Sequence, residues 1–394
     1  MSPAENNRLG IIRAIVPSIL ITLCIGSVYA FSFFAKDISE YIGSNLGNVQ
    51  FAFSLSIFFL GMGAAFFGPM VEKNIRASSL LSTSLFVSGM CLTTIGIHLR
   101  LLWMVFLGYG VFNGLAQGIG YISPVKNLML WYPNRKGLAS AISIVSFGLG
   151  SSLCVMLSKA FLPVVGIQWI FLVLGAIYLA MMLVGSLLLK KPNVYDRLGS
   201  NLDFKFSYEG IFKDLNFWQC WLFMLLNISA GLALIGASKN IFSEIVSNET
   251  TIVLLLMLCG LFNGGFRLVF AWISDYLGRR VDIWLVIALL SVIFIGASSI
   301  HYPLIVLAIL LLNATYGGGF STCPSILSDL YGNTAISRIH GLVLSAWGIA
   351  AIPAYFLNSY VFKHMDSFRM VPAILLMVYL ANLVNVFLLR RKVN

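Results

Sequence analysis

About twelve apolar stretches of spanning length recur along this 394-residue chain, and nothing else constrains its fold so tightly. They run at roughly 11–34, 51–70, 79–98, 102–128, 138–160, 167–189, 217–237, 251–274, 281–299, 302–324, 339–361 and 370–389, each near the ~20 residues that cross a hydrocarbon core as a helix. Inside lipid the backbone must satisfy its own hydrogen bonds, and continuous apolar runs of this length do so as helices. Charged residues are 10% of the chain, against about 25% in soluble domains, and mean hydropathy is +0.93. The expectation is an all-α integral membrane protein of twelve transmembrane helices in two six-helix bundles.

The first stretch follows the short polar arm Met1–Gly10 and is too long for a signal-peptide core, so it is read as a helix of the mature protein. Cys24, Cys91, Cys154, Cys220, Cys259 and Cys323 all fall inside the spans without paired or metal-ligand spacing, as buried thiols do.

Lys and Arg set the orientation. With the N-terminus placed in the cytoplasm, seventeen of the 25 basic residues lie on that side, among them Arg8, Lys73, Arg135, Arg197, Lys205 and Arg390. Six lie opposite: Lys36, Arg100, Lys159, Lys239, Lys363 and Arg369. This asymmetry puts both termini inside. It also accounts for most of the +11 net charge, so the basic balance does not indicate nucleic acid. Compact loops and short tails suit a bacterial inner membrane.

The longest polar segment, Lys190 to Asn216, carries mixed charge and divides the spans six and six. The expected domains are residues 1–190, a cytoplasmic linker at 191–216, and residues 217–394. The halves read as a duplicated unit. Glu72 after span 2 corresponds to Asp275 after span 8, 203 residues on. Pro124 answers Pro324, Gly137 answers Gly341 and Gly148 answers Gly348, at offsets of 200, 204 and 200.

Span 8 holds a charge that no acid of the same stretch accompanies. Between Glu249 and Asp275 the 25 residues hold a single charge, Arg267, eight residues from Asp275 and so roughly 12 Å inside a core roughly 30 Å thick. Such a cation costs a few kcal/mol and normally faces a polar cavity or a counter-charge. Two readings stand: an anion that comes and goes, or pairing with backbone carbonyls or an acid from another helix.

The loop after span 2 reads Gly68-Pro-Met-Val-Glu72-Lys73-Asn-Ile-Arg76, and that after span 8 reads Ala271-Trp-Ile-Ser-Asp275-Tyr-Leu-Gly278-Arg279-Arg280. With the six-plus-six layout, this resembles the major facilitator superfamily. Glu72 replaces the usual Asp, Lys73 the Arg and Ile75 the Gly, and Tyr276 stands where a basic residue is common. A carboxylate there can meet a neighbouring helix N-terminus. Glu72, Arg76, Asp275, Arg279 and Arg280 are therefore gate candidates, with topology determination the plainer alternative.

A narrower resemblance comes from Gly114-Leu-Ala-Gln117-Gly118-Ile-Gly120-Tyr121-Ile-Ser-Pro124, Asn263-Gly-Gly-Phe-Arg267, Tyr316-Gly-Gly-Gly-Phe320-Ser-Thr-Cys-Pro324 and His340-Gly341-Leu-Val-Leu-Ser-Ala-Trp347-Gly348. These are similar to the oxalate/formate antiporter family and the related monocarboxylate porters, from span 1 to span 11. The glycines allow close, flexing helix contacts, or simply tight packing.

The resemblance implies that Arg267 holds the substrate carboxylate, for which its forked donors suit bidentate binding. Where the oxalate exchanger has a second cation in span 11, this chain has Trp347, which favours a monocarboxylate or a larger, partly apolar anion over a small dianion. An apolar packing role for Trp347 is the alternative. The porters carry an acid four residues before the span 8 arginine. Asn263 occupies that place, so antiport and proton symport are not separable here. Tyr29, Asn113, Gln117, Tyr121, Tyr316 and Phe320, on spans 1, 4 and 10, complete the cavity candidates. Lys126, five residues before Trp131, is expected to snorkel to the interface.

No phosphate-cradling loop ending in Lys-Ser/Thr occurs, and His98, His301, His340 and His364 are scattered, so neither ATP use nor catalysis is indicated. The expected function is secondary active transport of a small organic anion by alternating access, without cofactor or metal. The expected partners are that anion, a coupled proton or counter-anion and the lipid bilayer, with the chain a monomer. Transport of an amino acid or larger metabolite, or a non-transporting sensor on the same fold, are the competing readings.

Overall fold

The computed structural model describes residues 8–192, 207–276, 279–332, 335–364 and 367–392. Arg197, Lys205 and most of the 191–216 linker lie outside them.

Twelve helices among the described residues are long and apolar enough to cross a membrane. They are α1 Arg8–Ile42, α2 Leu46–Lys73, α3 Ile75–His98, α4 Leu102–Trp131, α5 Lys136–Val165, α6 Ile167–Leu188, α7 Leu215–Ile245, α8 Glu249–Tyr276, α9 Val281–Ile300, α10 Ile305–Tyr331, α11 Ile336–His364 and α12 Val371–Lys392. Most are longer than the apolar runs that announce them. Hydropathy marks only the hydrocarbon-crossing part, whereas the helix continues until a polar residue caps it. Asn45 accepts from the Gly47 N–H at 2.8 Å and Asn74 from the Ala77 N–H at 3.0 Å, which fixes the starts of α2 and α3. A short helix, Tyr208–Lys213, precedes α7 with Ser207 as its N-cap.

The chain divides into two compact units. The first contains residues up to Lys205 together with Leu327–Gly348, that is, the C-terminal end of α10 and the first part of α11. The second contains Phe206–Ile326 and Ile349–Asn394.

Glycine sets helix approach in the first unit. A Cβ on Gly26 of α1 would fall 1.9 Å from the Phe147 carbonyl oxygen of α5, and one on Gly341 of α11 would fall 2.0 Å from the Ala64 carbonyl oxygen of α2. These backbones touch, so neither position has room for any side chain. Gly118 likewise seats α4 on Leu60 and Ala64 of α2. Helix α1 changes its winding at the crossing: Gly26–Ala30 is a 3₁₀ turn. Helix α4 contains a π segment at Phe106–Phe112, just ahead of the polar stretch that begins at Asn113. Such interruptions re-aim the following side chains and are frequent at functional places.

The second unit is built around an apolar core that includes Ala233, Ile241, Ile305, Ile309, Leu312, Leu375 and Tyr379. Helix α8 takes little part. It is the least buried of the twelve, with Met257, Leu261 and Trp272 exposed. A Cβ on Gly260, Gly264 or Gly265 would meet nothing within 4 Å, so among the described residues these three glycines do not serve tight packing.

Candidate functional site

Arg267 is the exception on that exposed helix: only 3% of it is accessible. One turn earlier on the same face, Asn263 Oδ1 accepts from Arg267 Nε at 3.1 Å and from a terminal guanidinium nitrogen at 2.8 Å. Asn263 Nδ2 lies 3.5 Å from Asn313 Oδ1 of α10, whose own amide donates to the Ile309 carbonyl at 2.9 Å. The approach of the two helices rests on Gly317, where a Cβ would stand 2.3 Å from the Asn263 carbonyl oxygen and 3.0 Å from Arg267 Cγ. Phe320, one turn on, places its ring 5.9 Å below the guanidinium carbon, a cation–π distance. Tyr316 packs beside Phe320 with centroids 5.1 Å apart and is seated on Gly231 of α7. Of the candidates read from sequence, Arg267, Asn263, Tyr316 and Phe320 thus converge in the second unit. Asn313 was not among them, although its spacing of three and seven from Tyr316 and Phe320 puts it on their face of α10.

In the first unit Tyr121 is the hub. Its ring is 5.6 Å from Phe147 of α5, 6.0 Å from Trp347 and 6.0 Å from His340, both of α11. Phe147 also meets Trp347 at 5.9 Å and Tyr29 of α1 at 5.5 Å. Gly26 brings Tyr29 to this cluster by letting α1 touch α5. Tyr29, Tyr121 and Trp347 are therefore brought together, while Phe147 and His340 are additions. The seven-residue spacing of His340 and Trp347, two turns on one face, is the signal that would have found the histidine.

Asn113 and Gln117 point elsewhere. Asn113 is fully buried against α3, its amide 3.4 Å from Met90 Sδ, and its side chain occupies the space left by Gly89. Gln117 faces α2, accepting from Ser56 Oγ at 3.4 Å. Both contacts join helices and neither joins the aromatic cluster.

The loop charges are also placed. Glu72 forms a buried ion pair with Lys126 of α4 and accepts from the Ser337 backbone N–H, in the first turn of α11, at 2.6 Å. Lys126 is 4% exposed, so it does not snorkel to the interface. A carboxylate on α2 holds it inside the protein, a partner that Glu72's place in a loop signature had concealed. Lys191 donates to the Glu72 carbonyl at 3.0 Å, and Arg76 donates to the Leu187 carbonyl at the end of α6. In the second unit Arg280 pairs with Asp275 at 3.3 Å, and Arg390 pairs with Asp282 at 2.7 Å. Among the described residues no cluster of three or more His, Cys, Asp or Glu could hold a metal.

Arg267 is thus a buried cation held by an amide and an aromatic ring on one of the twelve candidate spanning helices. The family model of the major facilitator superfamily matches residues 18–390. The chain belongs to that superfamily. An uncharacterised transporter of the same type from Escherichia coli, YhjX, is 27% identical over 89% of this chain and 88% of its own length. The oxalate:formate antiporter of Oxalobacter formigenes is 22% identical over 85% of this chain and 80% of its own. Among solved structures, an outward-facing bacterial homologue of the iron transporter ferroportin aligns with a TM-score of 0.75 at 16% identity, covering 96% of this chain and all of that one. At that identity the likeness establishes the fold alone. This superfamily member is a membrane transporter of the alternating-access type and not an enzyme.

Proposed function

We propose that the protein carries a small organic anion, foremost a monocarboxylate, with Arg267 as the anchor for its carboxylate. The observation that carries this reading is a guanidinium buried in a spanning helix, its fork bonded to the Asn263 amide oxygen and its face against the Phe320 ring. Two donors fixed on one amide oxygen hold the plane of the fork, and a planar fork is what bidentate carboxylate binding requires. Resemblance to the oxalate:formate antiporter supports the substrate class. Trp347 stands where the resemblance puts a second cation in the oxalate exchanger, which favours a monoanion over a dianion.

Glu72, Arg76, Asp275, Arg279 and Arg280 act as gate contacts in this reading. Glu72 is the best supported, since it bonds the first turn of α11 and neutralises Lys126 at once. The excess of Lys and Arg on one side supports cytoplasmic termini. A bacterial inner membrane, six-helix domains at residues 1–190 and 217–394 and a monomeric chain belong to the same proposal.

The test is thermal stabilisation of purified wild type and Arg267→Ala across small carboxylates, amino acids and organic cations. A ligand at about 100 times its dissociation constant adds roughly 2.7 kcal/mol to the folded state. Carboxylates are expected to raise the wild-type melting temperature and leave the variant unmoved. Stabilisation by amino acids or cations, indifferent to Arg267, would refute the carboxylate reading.

A further inference from the structure

Arg13 of α1, Lys73 at the end of α2, Arg76 in the first turn of α3, and Lys190 and Lys191 just beyond α6 line one cavity of about 590 Å³. All belong to the first unit, at the end of the bundle where α1 and α3 begin and α2 and α6 stop. Among the described residues no carboxylate lines it. The excess of Lys and Arg at this end of the spans explains why such residues occur here. It does not explain why five of them, from three separate stretches of chain, converge on one recess. We propose that the recess binds the phosphate head group of an anionic phospholipid. The site stands apart from the carboxylate reading and does not depend on it.

Backbone oxygens, not acids, tie the walls of the recess together. The Arg13 carbonyl accepts from Asn127 Nδ2 of α4 at 2.8 Å and from the Lys190 N–H at 3.3 Å, and the Lys190 carbonyl accepts from Trp131 Nε1 at 2.8 Å. Arg76 donates to the Leu187 carbonyl and Lys191 to the Glu72 carbonyl at 3.0 Å. A neutral oxygen positions a cation without cancelling its charge. The Glu72 carboxylate is itself paired with Lys126. Among the described residues the charged groups of Arg13, Lys73 and Lys190 make no hydrogen bond or ion pair. The adjoining residues 1–7 and 193–206 hold three acids (Glu5, Asp196 and Asp203) and two bases (Arg197 and Lys205), so their sequence offers one net negative charge against five cations. Like charges around one recess repel, and a phosphate with its several acceptor oxygens relieves that repulsion through charge-assisted hydrogen bonds.

What borders the recess assigns the phosphate to a lipid. Ile12 and Val16 of α1 are exposed, as are Val184 and Leu187 of α6. The two helices lie against each other at Gly185, where a Cβ would stand 3.2 Å from the Pro17 carbonyl oxygen. Both apolar pairs border that seam and lead from the recess into the spans. A free anion would meet only the basic recess, whereas a phospholipid meets the recess with its head group and the apolar pairs with its chains. Basic pockets between spanning helices suit phosphate-bearing head groups for this reason.

The test titrates the delipidated full-length chain in detergent with phosphatidylglycerol, cardiolipin, phosphatidylcholine and inorganic phosphate, following binding by native mass spectrometry and by melting temperature. Both anionic lipids are expected to bind and to raise the melting temperature, and phosphatidylcholine is not. Arg13→Gln combined with Lys73→Gln and Lys190→Gln removes three cations, each worth about fivefold in affinity near a membrane surface, so anionic lipid binding is expected to weaken roughly a hundredfold. Arg135→Gln combined with Lys213→Gln and Arg391→Gln removes the same charge outside the recess and is expected to change binding less than threefold. Equal losses in the two triple variants, or equal binding of phosphatidylcholine, overturn the site. Inorganic phosphate that stabilises through the same three residues and excludes the lipids overturns the lipid assignment in favour of a free anion. Should the first variant not fold, wild type is crosslinked to phosphatidylglycerol carrying a photoreactive head group. Adducts on peptides that contain Lys73 or Lys190 uphold the proposal, and adducts confined to other peptides overturn it.

Discussion

The two clusters of candidate residues solve the problem of polar groups in a membrane in opposite ways. Around Arg267 a permanent charge is held by the Asn263 amide of α8, which Asn313 of α10 meets in turn. Around Tyr121 the charges, Glu72 and Lys126, neutralise each other nearby, and the cluster itself is aromatic with one imidazole. A guanidinium never loses its proton in a protein, whereas an imidazole readily does. The first cluster thus keeps a fixed charge on a helix that is otherwise exposed, and the second is an aromatic contact surface among buried helices.

Removing Arg267 should break that comparison most severely. Arg267→Ala is expected to abolish carboxylate uptake in liposomes, since a buried charge-assisted pair is worth about 2–5 kcal/mol, and Arg267→Lys to recover little because the fork is lost. Uptake by the alanine variant within threefold of wild type would remove Arg267 from the site. Next in size is the ion pair of the first unit. Glu72→Ala strands a buried lysine and is expected to destabilise by about 3–5 kcal/mol, whereas Glu72→Ala with Lys126→Met should restore much of it. Detergent melting curves of both variants would show this, and equal losses would mean the pair is not the reason for the cost.

Backbone contact provides a third comparison. Gly341→Ala must displace the Ala64 carbonyl, for about 1–3 kcal/mol, while Gly264→Ala on α8 should cost nothing measurable or stabilise slightly. Comparable melting points for the two would contradict the asymmetry of the glycines. Asn313→Ala sharpens the account of the cationic cluster. It removes the neighbour of Asn263, worth about 1 kcal/mol, and is expected to raise the half-saturating carboxylate concentration several-fold with little change in maximal rate. Smallest of all is Asn113→Ala, whose contacts lie on α3: binding should be unaltered, and a tenfold affinity loss would return Asn113 to the site.

Much of the fold was legible beforehand because hydrocarbon permits so few solutions. Twelve apolar runs of spanning length became twelve helices, and the loop signatures at Glu72 and Asp275 resembled the family that the comparisons then established. Asn263 with Arg267 followed from a four-residue spacing on one helix. Less legible were Asn113 and Gln117, which share a helix with Tyr121 yet turn toward α3 and α2, and Lys126, whose partner lies on another span. Helical periodicity assigns residues to faces of their own helix and is silent about which neighbour each face meets.

By itself, then, the sequence determined that this chain crosses the membrane twelve times and buries a cation in its eighth span, because length, apolarity and charge act locally along a helix. Only the tertiary structure decided that His340 and Trp347 close on Tyr121, that Glu72 neutralises Lys126, and that Gly260, Gly264 and Gly265 of α8 meet no neighbour among the described residues. Those facts depend on which helices touch, and contact between distant segments is set by backbone approach at positions such as Gly26, Gly317 and Gly341.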